Sequence, residues 1–291
     1  MDPPKKGGGL SQTDLQQLAG PRMSSQRGDK GGVLTRWVPT NLLEAIPPFL
    51  PDPAPHEGEW EPAVTVDGQP VVQVAKLRSD PEHTSYLSAV AWIDQKHARF
   101  VLHPGSQEPG GGGWSQPDHL PVEQRPGLIA AWNGAFRITN GDAEGGFYLD
   151  GRTVAGLRDG QASEVIKRDG SIAIGQWGRD VTMTPDVVDV RQNLVLLVDN
   201  GQVVPAVNSS DHNLWGVTVD NRYFVWRSGV GITADGNIVY AMGPALSVRT
   251  LAELLHRAGA VRAMELDINT EWVSFMTYDS IRDPTVVSRS F

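Results

Sequence analysis

Val261-Arg-Ala-Met-Glu-Leu-Asp-Ile-Asn-Thr-Glu-Trp-Val273 is the stretch around which the rest of the chain is organised. From Met264 it alternates: Met264, Leu266 and Ile268 are apolar, while Glu265, Asp267 and Asn269 are polar. Strand side chains go to opposite faces in turn, so the pattern predicts two carboxylates and an amide on one side of a strand. Same-face neighbours lie about 7 Å apart at Cα, a spacing at which two carboxylates can cooperate. An ordinary half-buried strand with a solvated outer face would show the same alternation. The weight therefore falls on what surrounds it. Directly upstream, Leu251, Leu254, Leu255 and Ala258 share one face of a helix predicted over 248–258, with Ser247 able to cap it and Gly259 to stop it.

Further upstream the texture is that of hairpins. Asp67-Gly68, Asp150-Gly151, Asp169-Gly170, Asn200-Gly201 and Asp235-Gly236 each stand between short apolar runs, with Asp220-Asn221 as a variant. Asx-Gly pairs suit the type I′ turn that matches strand twist, so their recurrence predicts antiparallel sheet. Strands are expected at 64–66 and 71–77, at 86–94 paired with 98–103, and at 128–132. Further ones are expected at 145–149, at 194–198 with 202–205, at 215–219 with 223–226, and at 273–278. The fold class that follows is α+β: a mixed, largely antiparallel β-sheet built from hairpins, with a few helices packed on it.

Three segments are expected. Residues 1–35, rich in Gly, Lys, Gln and Ser, read as a flexible arm with at most a helical turn or two around Thr13–Leu18. Residues 36–62 form a Pro-rich strap, with a short helix at Asn41–Ile46 ended by Pro47-Pro48 and an extended run to Pro62. Residues 63–291 make the α+β domain. Within it, 103–126 is a long loop. Its Gly110–Gly113 run lacks the Lys-Ser/Thr of a phosphate-binding P-loop, so it reads as a lid or surface excursion with Trp114 as a substrate-facing candidate. The polar run Val207–Asn213 is a loop of the kind that lines sites.

A chain of 291 residues with 40% hydrophobic content can bury a large core. Its formal charge of −9 and lack of any basic block beyond Lys5-Lys6 argue against a nucleic-acid partner. There is no cysteine, which excludes disulfides, thiolate catalysis and cysteine-based zinc sites. No apolar run reaches the ~18 residues of a membrane span, and the first residues lack a signal-type apolar core. Glu265, Asp267 and Asn269 are an oxygen-rich set that Ca²⁺ or Mg²⁺ would accept. Consecutive same-face strand residues seldom converge on one ion, so no cofactor is expected and a cation is the alternative.

Taken in order, Asn133-Gly134…Phe136, the Gly146–Gly151 hairpin, Arg227-Ser-Gly-Val-Gly231 with Asp235-Gly236, the helix, and Met264-Glu-Leu-Asp267 resemble the phosphodiester glycosidase domain family. The resemblance spans 128–275. It implies a hydrolase that cleaves a glycosyl-1-phosphodiester in a cell-envelope or lipid-linked glycan, in an extracytoplasmic or secreted setting. By family position, Asn133, Arg227 and Asp267 match. Two departures stand out: Gly229 occupies a usual Ala position, and Ile268-Asn269-Thr270-Glu271 replaces a Gly-Gly-Gly-Ser run whose amides could cradle phosphate. The resemblance makes Asp267 the base or nucleophile, Glu265 its partner and Arg227 a bidentate phosphate clamp assisted by Arg249 or Arg137. Asn133, Gly134, Asn269 and Trp114 complete the substrate-binding set. A glycosidase on non-phosphorylated glycans, a metal-assisted phosphodiesterase and a non-catalytic carbohydrate-binding module are the other readings the sequence leaves open; it says nothing of oligomeric state.

Overall fold

The computed structural model describes residues 42–138 and 145–278, together with the backbone of 287–290. The N-terminal arm, its helical turn and residue Asn41 lie outside the described residues.

Sixteen strands are described: β1 (Glu61–Val66), β2 (Gln69–Leu77), β3 (Ser88–Ile93), β4 (Ala130–Trp132), β5 (Phe147–Leu149), β6 (Arg152–Ala155), β7 (Ala162–Lys167), β8 (Ile172–Gln176), β9 (Val187–Gln192), β10 (Leu196–Asp199), β11 (Gln202–Val203), β12 (Val225–Thr233), β13 (Ile238–Leu246), β14 (Ala260–Glu265), β15 (Phe275–Tyr278) and β16 (Val287–Ser290). They build an eight-stranded sheet in the order β1-β2-β3-β13-β12-β14-β10-β11, a five-stranded sheet β6-β5-β9-β7-β8 and a three-stranded sheet β16-β15-β4. Pairing between these strands is antiparallel throughout. The expected α+β class holds, with β-structure dominant. Asp67-Gly68, Asp150-Gly151 and Asn200-Gly201 carry positive φ at both residues, as type I′ turns require.

The large sheet separates two cores. On one face lies the helix α2 (Val248–Arg257), whose Leu251, Leu254 and Leu255 are fully buried against Leu197, Val239, Ala241, Leu246 and Ala263. The four-residue helix α1 (His212–Trp215) sends Trp215 into the same cluster. On the opposite face Val72, Val74, Val230, Tyr240, Met264 and Leu266 meet Ile166, Ile172 and Ile174 of the five-stranded sheet and Phe275 of the three-stranded one. The result is a helix, a sheet and a second sheet layer. β12 and β14 run through its middle.

Ser247 caps α2 as expected: its hydroxyl accepts from Thr250 N at 3.1 Å, and Thr250 Oγ1 accepts from Ser247 N at 2.8 Å, a reciprocal capping box. Gly259, at φ +96°, ends the helical stretch.

Three local expectations are corrected. Residues 42–48 are not helical. Ile46 N donates to Gly58 O, Leu43 N to Gln73 Oε1, and Glu44 O accepts from Trp60 Nε1, so the strap is spread out and its Ile46 and Trp60 are buried in the α2-side core. Burial there overrides a short helical pattern. Residues 98–103 do not pair with β3, both of whose edges are taken by β2 and β13; instead Phe100 N donates to Gly170 O and its ring is buried near Trp132. Nor do 215–219 and 223–226 form a hairpin. Trp215 ends α1, which Asp211 caps and Gly216 stops at φ +74°, and β12 begins only at Val225.

At Gly229 α2 packs tightly against the sheet. A Cβ there would lie 2.8 Å from Met264 O and 2.9 Å from Leu255 Cδ1. Gly229→Ala is therefore expected to lose about 1–3 kcal/mol by overpacking, read as a lower urea midpoint at unchanged slope. Leu255→Ala in the same chain should not relieve it fully, because the backbone carbonyl remains in the way.

Candidate active site

Arg227 stands on β12 and Glu265 ends β14, two strands paired in the register Gly229↔Glu265. Arg227 Nη1 donates to Glu265 Oε1 at 2.6 Å and its Nε to Leu246 O at 3.0 Å. The side chains are 4% and 0% exposed, so this is a buried ion pair. Glu265 Oε2 is also buried and has no partner among the described residues. Burial pushes the Glu265 carboxyl up, against the pull of Arg227 and with a further push from Asp267. Arg227 Nη2, by contrast, makes no hydrogen bond with the described residues.

The predicted alternation stops at Glu265. Ser228 O accepts from Leu266 N at 2.8 Å, while Ser228 N donates to Asp267 O at 2.8 Å. Two residues thus oppose one, in the manner of a β-bulge, and the same-face rule no longer applies beyond it. Ser228 Oγ accepts from Asp267 N at 3.2 Å, which fixes the bulged backbone from the side. From the other strand edge, Asn193 Nδ2 donates to Glu265 O at 2.9 Å and Leu266 O at 3.2 Å, with Asn193 Oδ1 left buried and unpaired among the described residues.

Asp267 is 9% exposed. Its Oδ1 accepts from Asn269 N at 2.8 Å. Burial pushes its carboxyl up to about 6 despite the backbone N–H groups of Asn269 and Ile268, which favour the charged form. Asn269 does not share a strand face with it: the side chain turns back to accept Glu271 N at 3.0 Å and caps the turn after the bulge. The three oxygens named for the alternative cation reading have other partners: Glu265 Oε1 faces Arg227, and Asp267 Oδ1 and Asn269 Oδ1 face backbone N–H groups. Among the described residues no cluster of three or more His, Asp or Glu is placed to hold a metal ion.

Asn133 follows β4 and is drawn into the same knot. Its Nδ2 donates to Ser228 Oγ at 3.0 Å and Gly134 O at 3.0 Å. Its Oδ1 accepts from Tyr240 Oη at 2.7 Å and Ser274 N at 3.1 Å. Ser274 O lies 3.1 Å from the same Tyr240 hydroxyl and shares its one proton, and burial holds the phenol well above the usual range, so it stays a neutral donor. Gly134 has open space where a Cβ would be. Arg191 Nη2 donates to Phe136 O and Nη1 to Gln192 O at 2.9 Å, which holds the 133–136 segment to the second sheet. Phe136 in turn abuts Gly216, and Ile268 packs close by, so the end of α1, the helix that begins at His212, borders the site.

Trp114 lies away from this knot. Its Nε1 donates to Gly110 O at 2.9 Å and Arg152 lies over its ring at 3.6 Å, while the adjacent Ser115 N donates to Asp150 Oδ2. The glycine run thus docks on the β5–β6 turn. Arg249 pairs with Glu253 at 2.8 Å on the exposed side of α2. Sequence reasoning missed Ser228, Tyr240, Asn193 and Ser274. Ser228 could have been found as the neighbour of Arg227; no local pattern marks the other three.

Removing one partner of a buried pair leaves an uncompensated charge, which costs roughly 3–5 kcal/mol, whereas apolar replacement of both is often neutral. Glu265→Ala is thus expected to melt well below the parent, and the double substitution Arg227→Met, Glu265→Leu closer to it, as calorimetry would show. A second expectation concerns pH. Glu164, Asp189 and Asp267 are pushed up to about 7, 6 and 6, chiefly by burial. A carboxyl that binds its proton more tightly when folded adds stability at low pH and loses that contribution as pH rises through the folded value. The melting temperature should therefore fall between about pH 4 and pH 7. A flat or rising profile there would show these groups to be ordinary.

The comparisons with known proteins follow the same lines. No curated protein matches. Among solved structures, the zebrafish N-acetylglucosamine-1-phosphodiester alpha-N-acetylglucosaminidase catalytic domain superposes with a TM-score of 0.51 at 17% identity, over 75% of this chain and 78% of that one. At that identity the likeness is one of fold. A hypothetical protein from Synechocystis overlaps with a TM-score of 0.38 at 11% identity, over 77% of this chain and 61% of that one, too loosely to carry an argument. The family described as Phosphodiester glycosidase matches residues 126–267, ending where this chain turns from Asp267 into Ile268-Asn269 rather than into glycines. The resemblance read from the motifs is thereby borne out: residues 126–267, which hold Asn133, Arg227, Glu265 and Asp267, match the phosphodiester glycosidase family.

Proposed function

We propose that this phosphodiester-glycosidase-like chain is a hydrolase that cleaves a glycosyl-1-phosphodiester at the anomeric carbon. The observation that carries the reading is a buried arginine, paired to Glu265 and uncommitted at Nη2, whose neighbour Ser228 holds the backbone of Asp267, a carboxyl raised to about 6. Water adds to the anomeric carbon, the bond from that carbon to the phosphate oxygen breaks, and a phosphomonoester leaves with the electron pair. Such a leaving group already bears charge, so no strong general acid is needed at the site. Asp267 takes the proton of the attacking water, or attacks first as nucleophile and is then released by water; the anomer first formed, read by proton NMR, separates the two courses.

Arg227 Nη2 supplies the phosphate contact. Glu265, fully buried, acts through Arg227: it holds the guanidinium in orientation, and sealed from solvent it is not itself the nucleophile. The amide of Asn269, which a glycine run would leave free for phosphate, is spent on Asp267 Oδ1. The clamp therefore rests on Arg227 more than on backbone. Asn133 braces Ser228 and the turn to Ser274, and Gly134 leaves room beside it for substrate. Cell-envelope polymers and lipid-linked sugars are the glycans that carry such diesters, and an extracytoplasmic site of action goes with them.

The test is turnover of sugar-1-phosphate diesters in ¹⁸O-labelled water, followed by phosphorus NMR. Label in the sugar and an unlabelled phosphomonoester are expected. Label in the phosphate would mean attack at phosphorus and would overturn the reading. Asp267→Asn should abolish turnover with a melting temperature at pH 7.5 equal to or above the parent's, because it removes a charge that folding disfavours. For the parent, the acid limb of kcat/KM should lie near pH 6, rising as Asp267 loses its proton. Arg227→Lys keeps a charge but loses the planar fork and should lose most activity.

A further inference from the structure

Trp272 is 52% exposed, on the turn that leads away from Asp267. That turn is tied to the site at both ends. Asn269 N donates to Asp267 Oδ1 at 2.8 Å, Trp272 N to Asn269 O at 3.0 Å, and Ser274 N to Asn133 Oδ1 at 3.1 Å. The indole therefore projects from a rigid support, not from a loose loop. Arg137, on the segment that begins at Asn133, lies over one side of the indole at 6.0 Å from its centroid, well beyond the 3.6 Å at which Arg152 covers Trp114. Arg137 is held by Gln107 Oε1 at 2.5 Å through Nη2 and faces Glu108 Oε1 at 3.5 Å through Nε, which leaves Nη1 unengaged among the described residues.

We propose that the Trp272 indole is the platform on which the pyranose ring of the substrate stacks, with Arg137 donating to it at the rim. This rests on the reading of Asp267 and Arg227 as a glycosyl phosphodiester site. The C–H face of a pyranose is apolar and covers an aromatic face, while its hydroxyls stay at the edge, where a fixed guanidinium can reach them. A ring stacked on Trp272 stands on the bracket that orients Asp267, and the same bracket is tied to Asn133 on the opposite side. No core packing accounts for an indole so exposed on so constrained a turn. The arrangement assigns to Trp272 the sugar contact that the sequence suggested for Trp114, whose face Arg152 covers instead.

Two measurements test the assignment. In steady-state turnover, Trp272→Ala should raise KM about tenfold, the ratio that one lost stacking contact gives, with kcat within about twofold and the melting temperature unchanged. Trp272→Phe should recover most of the loss, which a merely structural role would not produce. Separately, glucose-1-phosphate and N-acetylglucosamine-1-phosphate titrated into the Asp267→Asn protein should change its tryptophan fluorescence, and Trp272→Phe in that background should remove the change. An unaltered KM in Trp272→Ala, or a fluorescence response that survives Trp272→Phe, overturns the platform. The fluorescence experiment needs no turnover, so a protein that binds through Trp272 yet cleaves nothing sinks the hydrolase reading alone. One that cleaves normally without Trp272 sinks only the platform.

Discussion

The ion pair between Arg227 and Glu265 is the constraint on which the rest of this site depends. Two charges removed from water must be held at short range and good angle, or the pair costs more than it returns. Here the angle comes from the register of β12 on β14 and from the Leu246 carbonyl, which takes up Arg227 Nε. With Nη1 and Nε committed, the guanidinium has one orientation, and Nη2 is the nitrogen left without a partner among the described residues. A buried pair that contributes little net stability thus gives the candidate site a cation in a fixed orientation.

The bulge opposite Ser228 does the corresponding work for the carboxylate. A regular strand would have set Asp267 on the same face as Glu265, where both would compete for Arg227. With two residues opposite one, the backbone turns, and Asp267 instead meets the amides of Ile268 and Asn269. The environment then separates two nearby carboxyls: one is sealed against arginine, the other partly open and raised to about 6. Ser228 is the hub of this geometry, because its amide, carbonyl and hydroxyl all engage the 266–267 backbone while Asn133 binds its hydroxyl from the third sheet. Three separate pieces of chain, 133–134, 227–228 and 265–274, are in this way closed on one another with few free backbone groups.

The same economy explains how the chain departs from the pattern of the family that residues 126–267 match. A glycine run after Asp267 would present free amides; Asn269 instead uses its amide on Asp267 and its side chain on Glu271. The turn becomes stiffer and its tip carries an exposed indole. Gly229 shows the converse trade. It lacks the Cβ that Leu255 and the Met264 carbonyl would reject, so α2 lies close against the strand that bears Arg227.

What the sequence by itself determined is local. Asx-Gly pairs place turns because only a few residues tolerate left-handed φ, and Asp67, Asp150 and Asn200 do so next to their glycines. Ser247, the leucine face and Gly259 delimit α2 because capping and amphipathicity act within a few residues. The order of Asn133, Arg227, Glu265 and Asp267 was legible too, through family resemblance. Tertiary structure alone decided which of these residues meet and in what state. Residues 42–46 had a short helical pattern that burial of Ile46 and Trp60 overrode, and Trp114 was drawn onto Arg152. Alternation could not announce the bulge at 266–267, since it arises from the partner strand. Ser228, Tyr240 and Asn193 became site residues through contacts spanning 39 to 107 positions in sequence, a range over which no pattern in one strand or helix carries information.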